Sequence, residues 1–292
     1  MFIADARMSL ASALLKRLYI SQALGIPWHE VRLARKGDPK HGKPCALLSN
    51  GSAAPIDFNV SHQAGLVALV GWKGSHHPKV QVGVDIVCVN ERDDYRTIDK
   101  EGFDGWINIY EEMFSEEERW DMAFNVDSIT LLDGRIINGE YLGRNDRCVK
   151  RNLELTAILP SGQKETFDSD LLIDAKLRRF YTFWCYKEAY IKLAGEALLA
   201  PWLKQLEFQN VKSPKSGTVA RCSTHGTWGE KVDDVEVLLY GKKVADVKMS
   251  IQAFEETFMI ATAVKGLPEL DMPSFTKLHL EHDILSFAKG AT

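Results

Sequence analysis

The sequence predicts a mixed α/β (α+β) fold, and three observations carry that expectation. Phe180 to Leu199 has the spacing of a helix, and Val80 to Val89 alternates as a strand does. The halves on either side of Val82 each offer a helix and several strands. At 292 residues the chain suffices for one large domain or two modest ones. Its 45% hydrophobic and 26% charged residues are ordinary for a globular protein.

Composition also excludes several classes. A net charge of −4 argues against general affinity for nucleic acid. The longest apolar run, Leu66 to Val70 with its neighbours, is far too short to span a bilayer. Five scattered cysteines without a C-x-x-C pair read as reduced thiols of a cytoplasmic protein. His279 and His282 have no partner ligands nearby and read as positions on a solvated helix.

Met8 to Ala23 reads as an amphipathic helix, with Ala11, Leu14, Leu15 and Leu18 inward and Ser12, Lys16 and Arg17 outward. It is poor in acids, as a transit peptide is, but Ile26-Pro27-Trp28 and a strand-like run follow at once, so a packed helix is expected. From Arg32 to Lys43 five basic residues face one acid, a local trap for phosphate. Phe58 to Val70 holds two short strands broken by Ser61 to Gly65, and His62 alone reads as a hydrogen-bonded structural histidine. After the Val80–Val89 strand, Asn90 to Asp104 reads as a polar loop. Ser115 caps a helix, with Glu118 closing a capping box and the acidic run solvated. Asn125 to Asp174 reads as two hairpins, turning at Asp133-Gly134 and at Pro160 to Gly162. The helix over 180–199 is stopped by Pro201. Leu206–Val211, Val235–Tyr240, Val247–Phe254 and Thr257–Val264 are the closing strands, and the tail from Gly266 is expected to be peripheral.

Two of these segments carry chemistry. Trp184, Glu188 and Lys192, four residues apart, stack along one helix face, flanked by the apolar Tyr190, Ile191, Ala194 and Leu198. Taken alone, this is a surface Glu–Lys pair worth a few tenths of a kcal/mol. Asp85 changes that reading. It stands in a strand too apolar for a free charge, on the face of Gly83 and Val87, where Gly83 leaves room for a close approach to the backbone. A strand Asp, a helix Glu and adjacent lysines suit a hard divalent cation clamped onto phosphates.

Gly83-Val84-Asp85, followed by W-x-x-K-E-A-x-x-K from Trp184 to Lys192, resembles the signature of the 4′-phosphopantetheinyl transferases. The likeness is to their larger, pseudo-dimeric type, which includes the surfactin-synthetase activator, in its fungal-like form. Asn59 to Gln63, Gly42 to Pro44, Ile26 to Trp28 and Phe114 to Glu118 extend the resemblance in the family's order. It implies two similar α/β subdomains about a pseudo-twofold axis, here 1–81 and 82–265, with an insertion at 125–174 and a peripheral tail at 266–292. Relatives carry an opening strand ahead of the first helix, so the chain looks shortened there. The implied reaction moves 4′-phosphopantetheine from coenzyme A to a carrier serine and releases 3′,5′-ADP, with Mg²⁺. Asp85 and Glu188 become metal ligands, Glu188 also a base, and Lys192 a pyrophosphate contact. Arg35, Lys43, Ser61, His62 and, more weakly, Lys187 become coenzyme A contacts. Many relatives carry a further acid where Val87 stands, so only two protein carboxylates remain for the metal. Implied partners are the carrier domains of polyketide synthases, non-ribosomal peptide synthetases, fatty-acid synthase or aminoadipate reductase (hence lysine biosynthesis), served by a cytoplasmic monomer. The alternative is an impaired paralogue that binds coenzyme A or a carrier without transfer.

Overall fold

The computed structural model describes residues 3–38, 42–74, 80–89, 91–196, 200–217 and 226–290. The fold is mixed α/β: helices laid on antiparallel sheets. Helix α1 (Ile3–Leu24) is packed, as expected, but starts earlier and buries Ser12, which the sequence placed outside. A hairpin of β1 (Arg32–Arg35) and β2 (Pro44–Leu47) follows, then one of β3 (Ile56–Gln63) and β4 (Leu66–Lys73). The second hairpin turns at Ala64-Gly65, both with positive φ, so Ser61 and His62 lie on a strand rather than in a turn. α1 lies on this hairpin.

The strand β5 (Gln81–Cys88) opens the second half. Helix α2 (Asp94–Asn108), kinked at Gly102, replaces the expected polar loop. Its other charges face out, while Asp94 is buried, accepting from Trp106 Nε1–H and Tyr181 O–H, as are Ile98, Phe103, Trp106 and Ile107. Helix α3 (Glu116–Phe124) has the expected capping box, yet Glu118 is buried rather than solvated. Both hairpins expected over 125–174 are present: β6 (Ser128–Thr130) with β7 (Ile136–Asn138), and β8 (Glu154–Ile158) with β9 (Lys164–Asp168). They enclose a small core of their own, including Ile129, Ile137, Ala157 and Phe167, and are tied together by a two-pronged Arg135–Glu165 ion pair.

Helix α4 runs Ser169–Ala194, starting well before Phe180 because the Asp168 side chain caps it by accepting from Asp170 N–H. Gly195, left-handed at φ 77°, ends it, so Pro201 is not the stop signal. Leu198 lies outside the described residues. After β10 (Leu206–Gln209), an unanticipated β11 (Trp228–Val232) precedes β12 (Glu236–Leu239), β13 (Lys242–Lys243), β14 (Val247–Phe254) and β15 (Phe258–Lys265). One sheet runs β11-β14-β15-β5, and α4 packs across β5 and β15. Phe180 centres the main core, with ring centroids of Trp106 at 4.6 Å, Tyr110 at 4.7 Å and Phe114 at 5.5 Å. The tail from Gly266 is largely exposed but anchored: Met272 and Ile284 are buried, and Phe275 stacks on Trp228 while Phe287 meets Trp28. No described helix is long and apolar enough to cross a membrane.

The two halves meet where β5 faces β3. Alternate N–H groups of a strand point to opposite edges; β15 pairs with one edge of β5 along its whole length. At the other edge, three side chains of β3 take the place of a strand. Asp57 accepts from Val82 N–H at 2.9 Å, Asn59 from Val84 N–H at 3.2 Å and Ser61 from Ile86 N–H at 3.3 Å. Residues two apart share a strand face, so one short comb of polar side chains closes the sheet edge.

Candidate active site

Gly83 brings the site together. A Cβ there would run into Ala189 O and come within 2.6 Å of Leu193 N, so α4 lies directly against the β5 backbone. The space left by this glycine is therefore filled by the helix itself. That contact sets Glu188 and Lys192 beside Asp85. Lys192 donates to Asp85 Oδ1 at 2.6 Å and to Ser61 Oγ at 2.8 Å, and Ser61 donates to the same carboxylate oxygen at 2.9 Å. Asp85 is buried; burial pushes its pKa up, while Lys192 and the Ser61 and Ile86 hydrogen bonds pull it down. Glu188 is raised to about 7, first by burial and then by the Asp85 charge, with Lys192 and Arg92 opposing. Its Oε1 is buried without a hydrogen-bond partner. A buried Asp85 carboxylate beside a half-buried Glu188 with an orphaned oxygen is an oxygen donor pair that fits a hard divalent cation.

The other expected site residues divide. Arg35 is exposed on β1, donating to Gly42 O at 2.7 Å, and lowers the pKa of the half-buried Lys16 of α1, though burial lowers it more. His62 is exposed on β3, on the face opposite Ser61. Lys43 is turned inward, 4% exposed, donating to Asp57 Oδ2 at 2.5 Å and to Val82 O at 2.7 Å. Expected to contact the phosphates of coenzyme A, it serves the junction of the halves in this structure. Lys187 is turned away from the carboxylate pair altogether. Adjacent helix residues point about 100° apart, and its fully buried ammonium contacts Glu118 at 3.0 Å and the carbonyls of Leu203 and Leu206, away from Glu188. Val87 is 2% exposed within the main core.

A family model for the N-terminal part of 4′-phosphopantetheinyl transferases matches residues 1–74. A 4′-phosphopantetheinyl transferase of Aureobasidium melanogenum is 75% identical over 289 residues, spanning 98% of this chain and 86% of that protein. The chain belongs to the 4′-phosphopantetheinyl transferases. The 4′-phosphopantetheinyl transferase A of Aspergillus fumigatus is 36% identical over 295 residues, 90% of this chain and 72% of that one. The L-aminoadipate-semialdehyde dehydrogenase-phosphopantetheinyl transferase of Mus musculus is 37% identical over 89 residues, 30% of this chain and 26% of that one.

Sequence reasoning missed two features of this transferase. The guanidinium of Arg92 sits 5.1 Å over the Trp184 ring and acts electrostatically on Glu188; in a stretch taken for a polar loop nothing marked it out. The Asp57-Asn59-Ser61 comb did leave a signal: three small polar residues at period two in an apolar strand.

Proposed function

We propose that this transferase moves 4′-phosphopantetheine from coenzyme A to a serine hydroxyl of an acyl or peptidyl carrier domain, with Mg²⁺ held by Asp85 and Glu188. The supporting observation is the orphaned Oε1 of Glu188, buried beside the Asp85 carboxylate. In the reaction the serine oxygen bonds to phosphorus, the bond to the leaving 3′,5′-ADP breaks, and Glu188, directly or through a water, takes the serine proton. When bound, the metal neutralises charge on the pyrophosphate. Lys192, one turn beyond Glu188, supplies a cation to the same oxygens, and Arg35 and His62 hold coenzyme A, with Lys16 beside Arg35. No side-chain nucleophile is needed, because the carrier serine attacks directly.

The mouse relative is named for L-aminoadipate-semialdehyde dehydrogenase, which supports a carrier domain of that type among the acceptors. Free Cys45, Cys88, Cys148 and Cys185 suit a reducing cytoplasm. The test is to incubate the protein with coenzyme A, Mg²⁺ and apo carrier proteins of several types and weigh the carriers. The expected outcome is a gain of one phosphopantetheine that requires Mg²⁺. A protein that only binds coenzyme A leaves every carrier's mass unchanged, which would overturn the reading.

A further inference from the structure

The hydroxyl of Ser61 is fully used within the protein. It donates to Asp85 Oδ1 at 2.9 Å and accepts from Lys192 Nζ at 2.8 Å and from Ile86 N–H at 3.3 Å. A hydroxyl has one proton and two lone pairs, so nothing remains for a phosphate oxygen. The side chain is also buried, at 5% exposure. Its three partners come from two elements, β5 and α4, and Ser61 itself belongs to β3, in the other half of the chain.

We propose that Ser61 is a positioning residue of the transfer reaction, which orients Asp85 and Lys192 relative to each other and does not touch coenzyme A. This rests on the reading of Asp85 and Glu188 as the metal's carboxylates. The torsion that turns a carboxylate about its last bond is broad, so Asp85 needs a fixed donor to present one oxygen to Lys192 and keep the other face for a cation. Ser61 supplies that donor. Because its oxygen also caps Ile86 N–H, the donor is locked to the strand that carries Asp85.

Asn59 provides an internal control. It makes the neighbouring tooth of the same comb, accepting from Val84 N–H at 3.2 Å, and no hydrogen bond joins it to Asp85 or Lys192. Ser61→Ala removes three cross-half hydrogen bonds and Asn59→Ala removes the one to Val84 N–H, so both should lower the melting temperature. Only Ser61→Ala should weaken Mg²⁺ binding to the enzyme–coenzyme A complex, by roughly tenfold or more, the scale of one hydrogen bond to a charged group. Calorimetric titration of Mg²⁺ reads this without turnover. In the carrier assay, Ser61→Ala should lower kcat and raise the Mg²⁺ requirement while leaving the KM for coenzyme A within about twofold. Ser61→Cys, near in size but a poor hydrogen-bonding group, gives the same reading should the alanine variant fail to fold.

Equal Mg²⁺ affinity in the Ser61 and Asn59 variants would reduce Ser61 to a strut and overturn the proposal. So would a raised KM for coenzyme A with unchanged Mg²⁺ binding, which would make Ser61 a ligand contact. Wild-type protein that neither loads a carrier nor needs Mg²⁺ would instead strike down the functional reading beneath it, a separate outcome.

Discussion

At the scale of the residue, Glu188 and Lys187 show how one step along a helix separates chemistry from structure. Glu188 keeps an unbonded oxygen beside Asp85, whereas Lys187 is enclosed by Glu118 and two carbonyls. Glu188→Gln removes both the anionic donor and the proton acceptor at nearly constant size. Transfer should fall by about 10²–10⁴-fold or more, with the circular dichroism and melting temperature of the wild type; near-normal turnover by carrier mass would refute the assignment. Lys187→Met should do the reverse. It leaves Glu118 buried without its ammonium, at a cost of about 3–5 kcal/mol in denaturant unfolding, and the KM for coenzyme A should not move.

At the scale of the element, the distance between α4 and β5 is set by Gly83. A Cβ at that point meets the helix backbone, which cannot rotate aside as a side chain can. Gly83→Ala should therefore lift α4 off the strand that holds Asp85. A shift of about 1 Å is enough to cost roughly 10²-fold in rate, while overpacking of this kind costs only about 1–3 kcal/mol of stability. Activity should fail well before folding does; a variant as active as wild type would show that the glycine does not set the site. Lower on the same helix, Lys176 is fully buried, donating to the carbonyls of Asp146 and Cys148, and burial lowers its pKa to about 8 from 10.5 despite opposing pulls from Asp104, Cys148 and Asp146. Below pH 8 both folded and unfolded chains carry the proton, and the burial penalty is present in full. Between 8 and 10.5 the unfolded chain alone holds it, so folding stability should rise with pH across that window, by up to about 3 kcal/mol. Unfolding titrations of the wild type against Lys176→Met, which lacks the group, should show this slope only in the former.

At the scale of the whole molecule, the halves are joined by polar side chains rather than by a continuous backbone ladder. Asp57 is the hub of that joint, bonded to Lys36, Lys43 and Val82 N–H. Asp57→Ala strips a nearly buried ammonium of its carboxylate and should destabilise the protein by about 3–5 kcal/mol. The unfolding midpoint in denaturant should fall accordingly. A loss below 1 kcal/mol would mean that the junction relies on apolar contact instead.

Local periodicity and turn chemistry were enough for the fold class, both hairpins of 125–174, the closing β14–β15 hairpin and the capping box at Ser115. The sequence also brought Asp85, Glu188 and Lys192 together, since motif and spacing survive without coordinates. What it left undecided depends on contacts across long stretches of chain. Which partner a lysine meets depends on residues far along the chain: Lys43 finds Asp57, and Lys187 finds Glu118. Helix α2 stayed hidden because its charged outer face dominates its composition, and only the core packed against it shows which side is buried. By resemblance Ser61 is a coenzyme A contact, and the meeting of its hydroxyl with Asp85, Lys192 and Ile86 N–H shows only in the folded chain. The donors and acceptors that occupy its hydroxyl come from β5, 24 and 25 residues away, and from α4, 131 residues away, and no local pattern encodes such a meeting.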